Sequence, residues 1–404
     1  MQKSLLTKWL VTMALALSTL VSVQAQETFL LKPDALRAAK TRLSNGDKTL
    51  QPALDKLLQE ANGALKAGPF SVTTKKLTPP SGDKHDYMSV APYWWPDPTK
   101  PDGLPYIRKD GQSNPDRNND NTDSTSLSRM SSAVRTLSLA YFFTGKPAYA
   151  ERAATLLQTW FLDPATKMNP HLNYGQAIPG RVEGRDIGII DTHRLPETLD
   201  CILLIKGSVA WSQDDHQQMQ RWVGDYLQWL LTSKHGQSEA KQPNNHGTHY
   251  DAQVAYYALF SGRPEVARKV LEEAKTRRIA AHIAPDGGQP HELARTRSFS
   301  YSLMNLGGLF DLATLGEQFD LDLWNFKTAD GRSLRAALDY LAPYADPQKK
   351  WPKQQIIDIN RSSLLALLLR GRAGFNKTQY EKSVEYLAPG LVADRVQLLY
   401  PAPL

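Results

Sequence analysis

The sequence predicts an all-α protein, an (α/α) toroid or incomplete barrel of helical hairpins, and three observations support this prediction. Apolar residues recur at helical spacing in several separate segments, of which 50–65 and 219–230 are the clearest. Alternation of apolar and polar residues, the mark of a strand, is rare, and its best example at 70–72 is short. A faint internal repeat relates residues 141–160 to the segment that begins at Tyr257.

The individual helices are predicted from their apolar stripes and from their start signals. Residues 149–160 and 334–341 show the same stripe, and Pro33, Pro147 and Pro264 lie at plausible first-turn positions. Both copies of the repeat contain, in order, an aromatic residue, a Phe, a hydroxyl residue, a Gly, a basic residue and a Pro. This order is typical of one helix that ends at the Gly and a second helix that begins at the Pro. Such hairpins favour a ring or solenoid of helix pairs, although Gly–basic–Pro turns also arise independently.

The N-terminus is typical of an export signal. Lys3 and Lys8 precede an apolar stretch at 9–21, and small residues follow it. We therefore expect a signal peptide at residues 1–25 and a single toroid domain at 26–404, in the periplasm or secreted. An uncleaved membrane anchor is the alternative, although the apolar stretch is short for a membrane span.

Composition and charge limit the possible partners. The 404 residues, with 41% hydrophobic and 22% charged content, exclude wholesale disorder and a multi-span membrane protein. The single cysteine, Cys201, excludes an intrachain disulfide and a cysteine-ligated metal cluster. The net charge of +7 is dispersed, which argues against nucleic acid, and with 16 Tyr and 9 Trp it favours a polyanionic carbohydrate.

Three stretches, 79–125, 163–193 and 234–249, lack helical periodicity. Long irregular segments inside a helical chain are either disordered or functional. The first stretch is too aromatic for disorder, since it holds Tyr87, Tyr93, Trp94, Trp95 and Tyr106. We expect all three to form ordered loops at one mouth of the helical ring, where sites are usually built.

The candidate catalytic residues lie in two segments about fifty positions apart. Asn245 and His246 open one apolar helix, and Arg295 and Tyr301 precede or begin another. An amide, an imidazole, a guanidinium and a phenol suit removal of the C5 proton of a 4-linked uronate. That reaction requires neutralisation of the carboxylate, a base for the C5 proton and an acid for the departing O4.

The roles within this set follow from the stereochemistry. In β-mannuronate and β-glucuronate the C5 hydrogen and the C4 oxygen share one face of the ring, so Tyr301 alone could abstract and return the proton. Its reference pKa is near 10, so a nearby cation, Arg295 or Arg297, would have to lower it. Guluronate places the two groups on opposite faces and would need a second base, for which His246 is the candidate.

The N-N-H motif, the Arg about fifty residues later and the Tyr six beyond it resemble the alginate lyase domain of polysaccharide lyase families 5 and 38. The W-W-P-D-P and P-D-G-L-P-Y sequences resemble family 38 in particular. The resemblance covers roughly residues 60–370. It implies an (α/α) toroid and a metal-independent β-elimination, without a cofactor, on mannuronate-rich alginate or glucuronan. By matching motif, Asn245 resembles the carboxylate neutraliser, His246 the neutraliser or second base, Arg295 the activating cation and Tyr301 the base and acid.

Other interpretations of these residues remain open. His246, His249 and Asp251 could form a metal cluster, and Asn244 could simply cap its helix. The chain could also be a glycoside hydrolase on a helical ring, or a non-catalytic protein that binds an acidic polysaccharide. Further residues on the irregular loops and beside the catalytic pair are expected to bind substrate: Tyr93, Trp94, Trp95, Arg117, Asn118, Asn119, Arg181, Arg185, His193 and Arg297.

Overall fold

The computed structural model describes residues 28–376 and 379–402, and these are predominantly helical. The helices, numbered in chain order, are α1 Pro33–Ser44, α2 Gln51–Ala64, α3 Ser124–Thr144, α4 Pro147–Leu157, α5 Leu195–Ile205, α6 Gln213–Thr232, α7 Lys234–Glu239, α8 Asn245–Phe260, α9 Pro264–Ala274, α10 Pro290–Leu293, α11 Ser298–Gly316, α12 Leu334–Leu341, α13 Ser362–Phe375, α14 Glu381–Leu391 and α15 Val396–Leu399. The predicted all-α class is confirmed.

Four short strands lie in the loops between the helices of the described part of the chain. They are β1 Met88–Val90, β2 Trp94–Trp95, β3 Ile107–Arg108 and β4 Tyr174–Ala177. β1 pairs in parallel with β4, and β2 pairs antiparallel with β3, with Trp94 opposite Arg108. The β1–β4 pair joins the 79–125 stretch, called the aromatic loop below, to the 163–193 segment, whereas the β2–β3 pair lies within the aromatic loop itself.

Both copies of the internal repeat are helical hairpins. Gly145 ends α3 in the left-handed conformation at φ 69°, and Pro147 opens α4. Gly262, at φ 77°, and Pro264 play the same parts between α8 and α9. The second helix of each hairpin continues into a π-helical turn, at 158–162 and at 275–280. The repeat predicted from sequence is therefore a repeat of structure.

The helices form two layers of an (α/α) toroid. α5, α8 and α11 are buried on nearly every side, which places them in the inner layer together with α3. α4, α6, α9 and α12 bury a single apolar face and lie outside. α3 packs on α5 and α8 packs on α11, and residues from the first turns of α3, α8 and α11 line one common cleft.

Several local expectations differ from the structure. Residues 72–74, which overlap the best example of strand-like alternation at 70–72, form a 3-10 turn. The third irregular stretch is largely helical, since α7 and the start of α8 lie within it. The predicted signal peptide, residues 1–25, lies outside the described residues. Within the described ranges, none of the helices combines the length and apolarity needed to cross a membrane.

Candidate active site

The loops and the first turns of the inner helices enclose a cleft of about 830 Å³ at one mouth of the toroid. All four predicted catalytic residues, Asn245, His246, Arg295 and Tyr301, line this cleft. The predicted substrate-binding residues that also line it are Tyr93, Trp94, Arg117, Asn118, Arg185 and His193. The structure therefore brings the two distant segments together around one space.

Asn245 is positioned by its helix and by a buried carboxylate. Asn244 caps α8, because its side-chain oxygen accepts the backbone N–H of His246 at 3.1 Å. Glu292 accepts the backbone N–H of Asn245 at 2.7 Å with one oxygen and the side-chain amide at 2.8 Å with the other. Burial raises the pKa of Glu292, and the two bonds from Asn245 oppose this rise. The amide of Asn245 is thereby fixed as a donor group at the cleft wall.

His246 is oriented in the same way by a second buried acid. Its Nδ1 lies 2.8 Å from Oε1 of Glu239, a residue that is completely buried at the end of α7. An ionised Glu239 only accepts, so in that state Nδ1 carries the proton and Nε2 is the nitrogen left for the cleft. Burial raises the pKa of Glu239, whereas the contact with His246 lowers it.

Tyr301 and Arg295 are the other two predicted catalytic residues of the cleft. The Arg295 guanidinium donates to the Tyr301 hydroxyl at 3.2 Å and lies 4.2 Å from the centre of the Tyr301 ring. Asp110, on the loop after β3, accepts from Arg295 at 3.2 Å and from the hydroxyl of Thr296 at 2.9 Å. Through Asp110, the aromatic loop therefore holds the Arg295 guanidinium beside the Tyr301 hydroxyl.

Tyr93 makes a direct hydrogen bond with Tyr301, hydroxyl to hydroxyl. Tyr93 was expected only as a substrate-binding aromatic residue, so its contact with the predicted base is new information from the structure. The Arg297 guanidinium lies 5.6 Å from the centre of the Tyr93 ring. Of the two arginines considered as activating cations, Arg295 contacts the Tyr301 oxygen and Arg297 contacts the neighbouring phenol.

The charge state of Tyr301 is set by opposing effects. Burial raises the pKa of Tyr301 above its usual value, and Tyr93 adds to this rise. The Arg295 guanidinium lowers the pKa, as expected from the sequence, but it does not outweigh burial. The Tyr301 side chain is therefore mostly protonated at neutral pH, and tyrosinate is the minor form.

The floor of the cleft is a polar network centred on Asp191. Arg117 donates to Asp191 at 2.8 Å, and the amide of Gln176 donates to it at 2.9 Å. Arg185 donates to the side chain and backbone oxygens of Gln176, each at 2.9 Å. Gln176 has φ 50°, a conformation that non-glycine residues adopt mainly where the surroundings enforce it. Arg117 and Arg185 are thus held rigidly at the cleft surface.

Two histidines lie at the back of the cleft. The rings of His193 and His249 meet edge to face at 5.1 Å, and Nε2 of His249 bonds to the carbonyl of Met304. Burial lowers the pKa of His193 to about 4, and burial also lowers the pKa of His249. Both imidazoles are therefore neutral at neutral pH, and His249 belongs to the packed interior.

The remaining predicted substrate-binding residues lie outside the cleft lining. The indole of Trp95 donates to the carbonyl of Gln112, and Asn119 accepts the backbone N–H of Asn121 in a turn. The Arg181 guanidinium lies 5.3 Å from the Trp94 ring centre. Arg297 donates to Ser113 at 3.3 Å. In this structure, these four predicted residues, Trp95, Asn119, Arg181 and Arg297, support the loops around the cleft.

The metal cluster considered for His246, His249 and Asp251 does not assemble from these residues. Asp251 is fully buried and binds Arg277 and Arg278 on the other side of α8, while His249 turns into the core. Within the described ranges, no group of three or more His, Cys, Asp or Glu residues has the spacing of a metal site.

The chain matches the family model described as alginate lyase over residues 71–351. It is similar to an alginate lyase from Bacteroides ovatus, with 41% identity, a TM-score of 0.89 and coverage of 93% of this chain and 100% of that chain. No curated protein sequence matches it significantly.

More distant similarities concern the fold alone. Alginate lyase A1-III from Sphingomonas species A1 is 17% identical, with a TM-score of 0.60 and coverage of 94% of this chain and 99% of that chain. A tyrosine-to-phenylalanine variant of A1-III complexed with tetrasaccharide matches with 17% identity, a TM-score of 0.59 and the same coverage. Because the family model covers more than half of the chain and the Bacteroides enzyme is 41% identical across nearly all of it, the chain belongs to the alginate lyase family and is a polysaccharide lyase.

Proposed function

We propose that the enzyme cleaves a β-1,4-linked uronate polymer, mannuronate-rich alginate or glucuronan, by β-elimination. The observation that carries this proposal is the convergence of two sets of groups on one cleft. Asn245 and His246, each held by a buried acid, face the space that also receives the paired Arg295 and Tyr301. Tetrasaccharide complexes of the distantly related A1-III enzyme support a saccharide in the corresponding cleft.

The reaction follows from these positions. The amide of Asn245 and the imidazole of His246 bind the C6 carboxylate and reduce its charge, which makes the C5 proton removable. Tyr301 takes the C5 proton in its tyrosinate form, which is the minor form at neutral pH because burial raises its pKa; this form arises when the phenol loses its proton to solvent, and the Arg295 guanidinium stabilises it. The electron pair of the C5–H bond forms the C4–C5 double bond, and the C4–O4 bond breaks. The Tyr301 hydroxyl then returns the proton to the departing O4, so the enzyme ends in its initial state.

We also propose that the chain is exported, to the periplasm or the exterior, on the basis of its N-terminal sequence. A polymer substrate fits this location because it is too large to cross a membrane freely.

The function is tested with a panel of purified mannuronan, guluronan and glucuronan. We expect ultraviolet absorbance from the conjugated double bond to rise together with reducing ends on mannuronan or glucuronan. A glycoside hydrolase would release reducing ends without this absorbance, and a binding protein would release neither. Turnover of guluronan equal to that of mannuronan would contradict the mechanism with Tyr301 as the only base.

A further inference from the structure

A second concave surface lies beside the cleft, on the far side of the segment that carries Asn245. It has a volume of about 600 Å³, and Gln242 lines both it and the cleft. The basic residues that line it are Lys241, Arg277, Arg278, His282 and His291. Among the described residues, no aspartate or glutamate lines this surface, which we call the lateral groove.

The positive charge of the lateral groove comes from three side chains. Lys241 is exposed, and no carboxylate of the described chain lies within ion-pairing distance of it. Arg277 and Arg278 both bind Asp251, which is completely buried beneath them. Burial lowers the pKa of His282 to about 3, so this imidazole contributes no charge at neutral pH.

The available cation is therefore Lys241. The Arg277 guanidinium is partly exposed, and its Nε has no hydrogen-bond partner among the described residues. Its other nitrogens contact Asp251 and Glu273. Because Asp251 and Glu273 offset the charges of Arg277 and Arg278, the unpaired ammonium of Lys241 supplies the net positive field of the groove.

We propose that the lateral groove binds the carboxylates of the polyuronate segment that extends beyond the catalytic cleft. A polyuronate carries one carboxylate per sugar, so its charge continues past the residue that reacts. Because Gln242 borders both spaces, a chain that leaves the cleft beside Asn244 reaches Lys241 by passing over Gln242, whose side-chain amide donates to Asp186 at 3.4 Å. This proposal rests on the proposed function, and it identifies Lys241 as a residue that recognises polymer length.

Lys241→Gln and Lys241→Glu test the proposal, with Lys48→Glu as the matched control. Lys48 is exposed between α1 and α2, far from the cleft in the sequence and fold. On mannuronan we expect Lys241→Gln to raise KM about threefold and Lys241→Glu to raise it further, with kcat unchanged, because one exposed charge pair is lost. On the mannuronate tetrasaccharide KM should not change, and high salt should reduce the difference on the polymer.

Equal KM values for Lys241→Glu and Lys48→Glu on mannuronan would overturn the proposal. An equal loss on polymer and tetrasaccharide would also overturn it, because Lys241 would then act inside the cleft. Retardation of each variant in gels that contain mannuronate-rich alginate gives a readout independent of cleavage. A wild-type enzyme that is retarded but forms no unsaturated ends would refute the proposed function alone, whereas unchanged retardation of Lys241→Glu would refute the groove.

Discussion

Glu292 binds Asn245 with both carboxylate oxygens, one on the backbone N–H at 2.7 Å and one on the side-chain amide at 2.8 Å. The two residues are 47 positions apart, and both are almost completely buried. A side-chain amide can rotate and exchange its oxygen for its nitrogen, but only the nitrogen can donate to Glu292. This pair therefore determines which end of Asn245 is turned toward Glu292 and how its second N–H is directed.

Glu292→Gln should lower kcat by about 100-fold, because the new amide cannot accept both bonds and the Asn245 side chain loses its fixed orientation. KM on mannuronan should change much less than kcat. Thermal unfolding should confirm that the variant folds, and Glu292→Asp, which keeps the two acceptors, should recover part of kcat. Wild-type kcat in Glu292→Gln would show that the orientation of Asn245 does not matter.

Tyr93→Phe should move the pH dependence of kcat/KM to lower pH and raise activity at neutral pH by roughly threefold, because Tyr93 adds to the raised pKa of Tyr301 and its loss leaves more tyrosinate at a given pH. The ring remains to pack against Arg297, so the aromatic loop should keep its position. Tyr386→Phe, at an exposed position on α14, is the control for loss of a hydroxyl. Equal rates for the two variants would mean that the contact between the phenols has no role in the reaction.

The sequence predicted the helical hairpins well because their signals are local. The Gly145 and Pro147 pair ends one helix and starts the next through backbone preferences that operate over three residues. Asn244 was recognised as a possible cap for the same reason, and the structure has it in that role. The four predicted catalytic residues could also be identified from the sequence, because their side chains suit the reaction and they stand in two short motifs.

The supporting residues could not be predicted, because their partners are distant in the chain. Glu239 and Glu292 read as ordinary charged residues near helix ends, and nothing in their local pattern distinguishes them from solvated acids. Only the packing of α7 and α10 against the start of α8 shows that both are buried beside Asn245 and His246. The pKa of Tyr301, which the sequence argument required a nearby cation to lower, is raised on balance, since the spacing to Arg295 carries no information about burial.

Arg295→Gln should move the pH dependence of kcat/KM to higher pH. Arg295 lowers the pKa of Tyr301, so its removal raises that pKa and leaves less tyrosinate at any pH below it. If the pKa of Tyr301 rises by about one, activity at neutral pH should fall about tenfold, and it should recover partly as the pH is raised. Arg295→Lys, which keeps the charge, should retain the profile of the wild type, and an unchanged profile in Arg295→Gln would contradict this role.

Gly247→Ala should destabilise the protein by about 1–3 kcal/mol and lower kcat, because the new methyl group cannot be accommodated. A Cβ at this position would lie 2.1 Å from the carbonyl oxygen of Gln242 and 2.4 Å from a nitrogen of Arg278. Urea unfolding measures the change. Gly63→Ala is the control, since a Cβ there meets no atom within 4 Å and should stabilise α2 by about 0.5–1 kcal/mol.

The most direct test of the mechanism is Tyr301→Phe, assayed for unsaturated ends on the uronate polymer that the wild type cleaves best. This change removes only the oxygen that contacts Arg295 and Tyr93. We predict a fall in kcat of at least about 1,000-fold, with retardation in polymer-containing gels and thermal unfolding close to wild type. Substantial formation of unsaturated ends by Tyr301→Phe would contradict the assignment of Tyr301 as the group that removes the C5 proton.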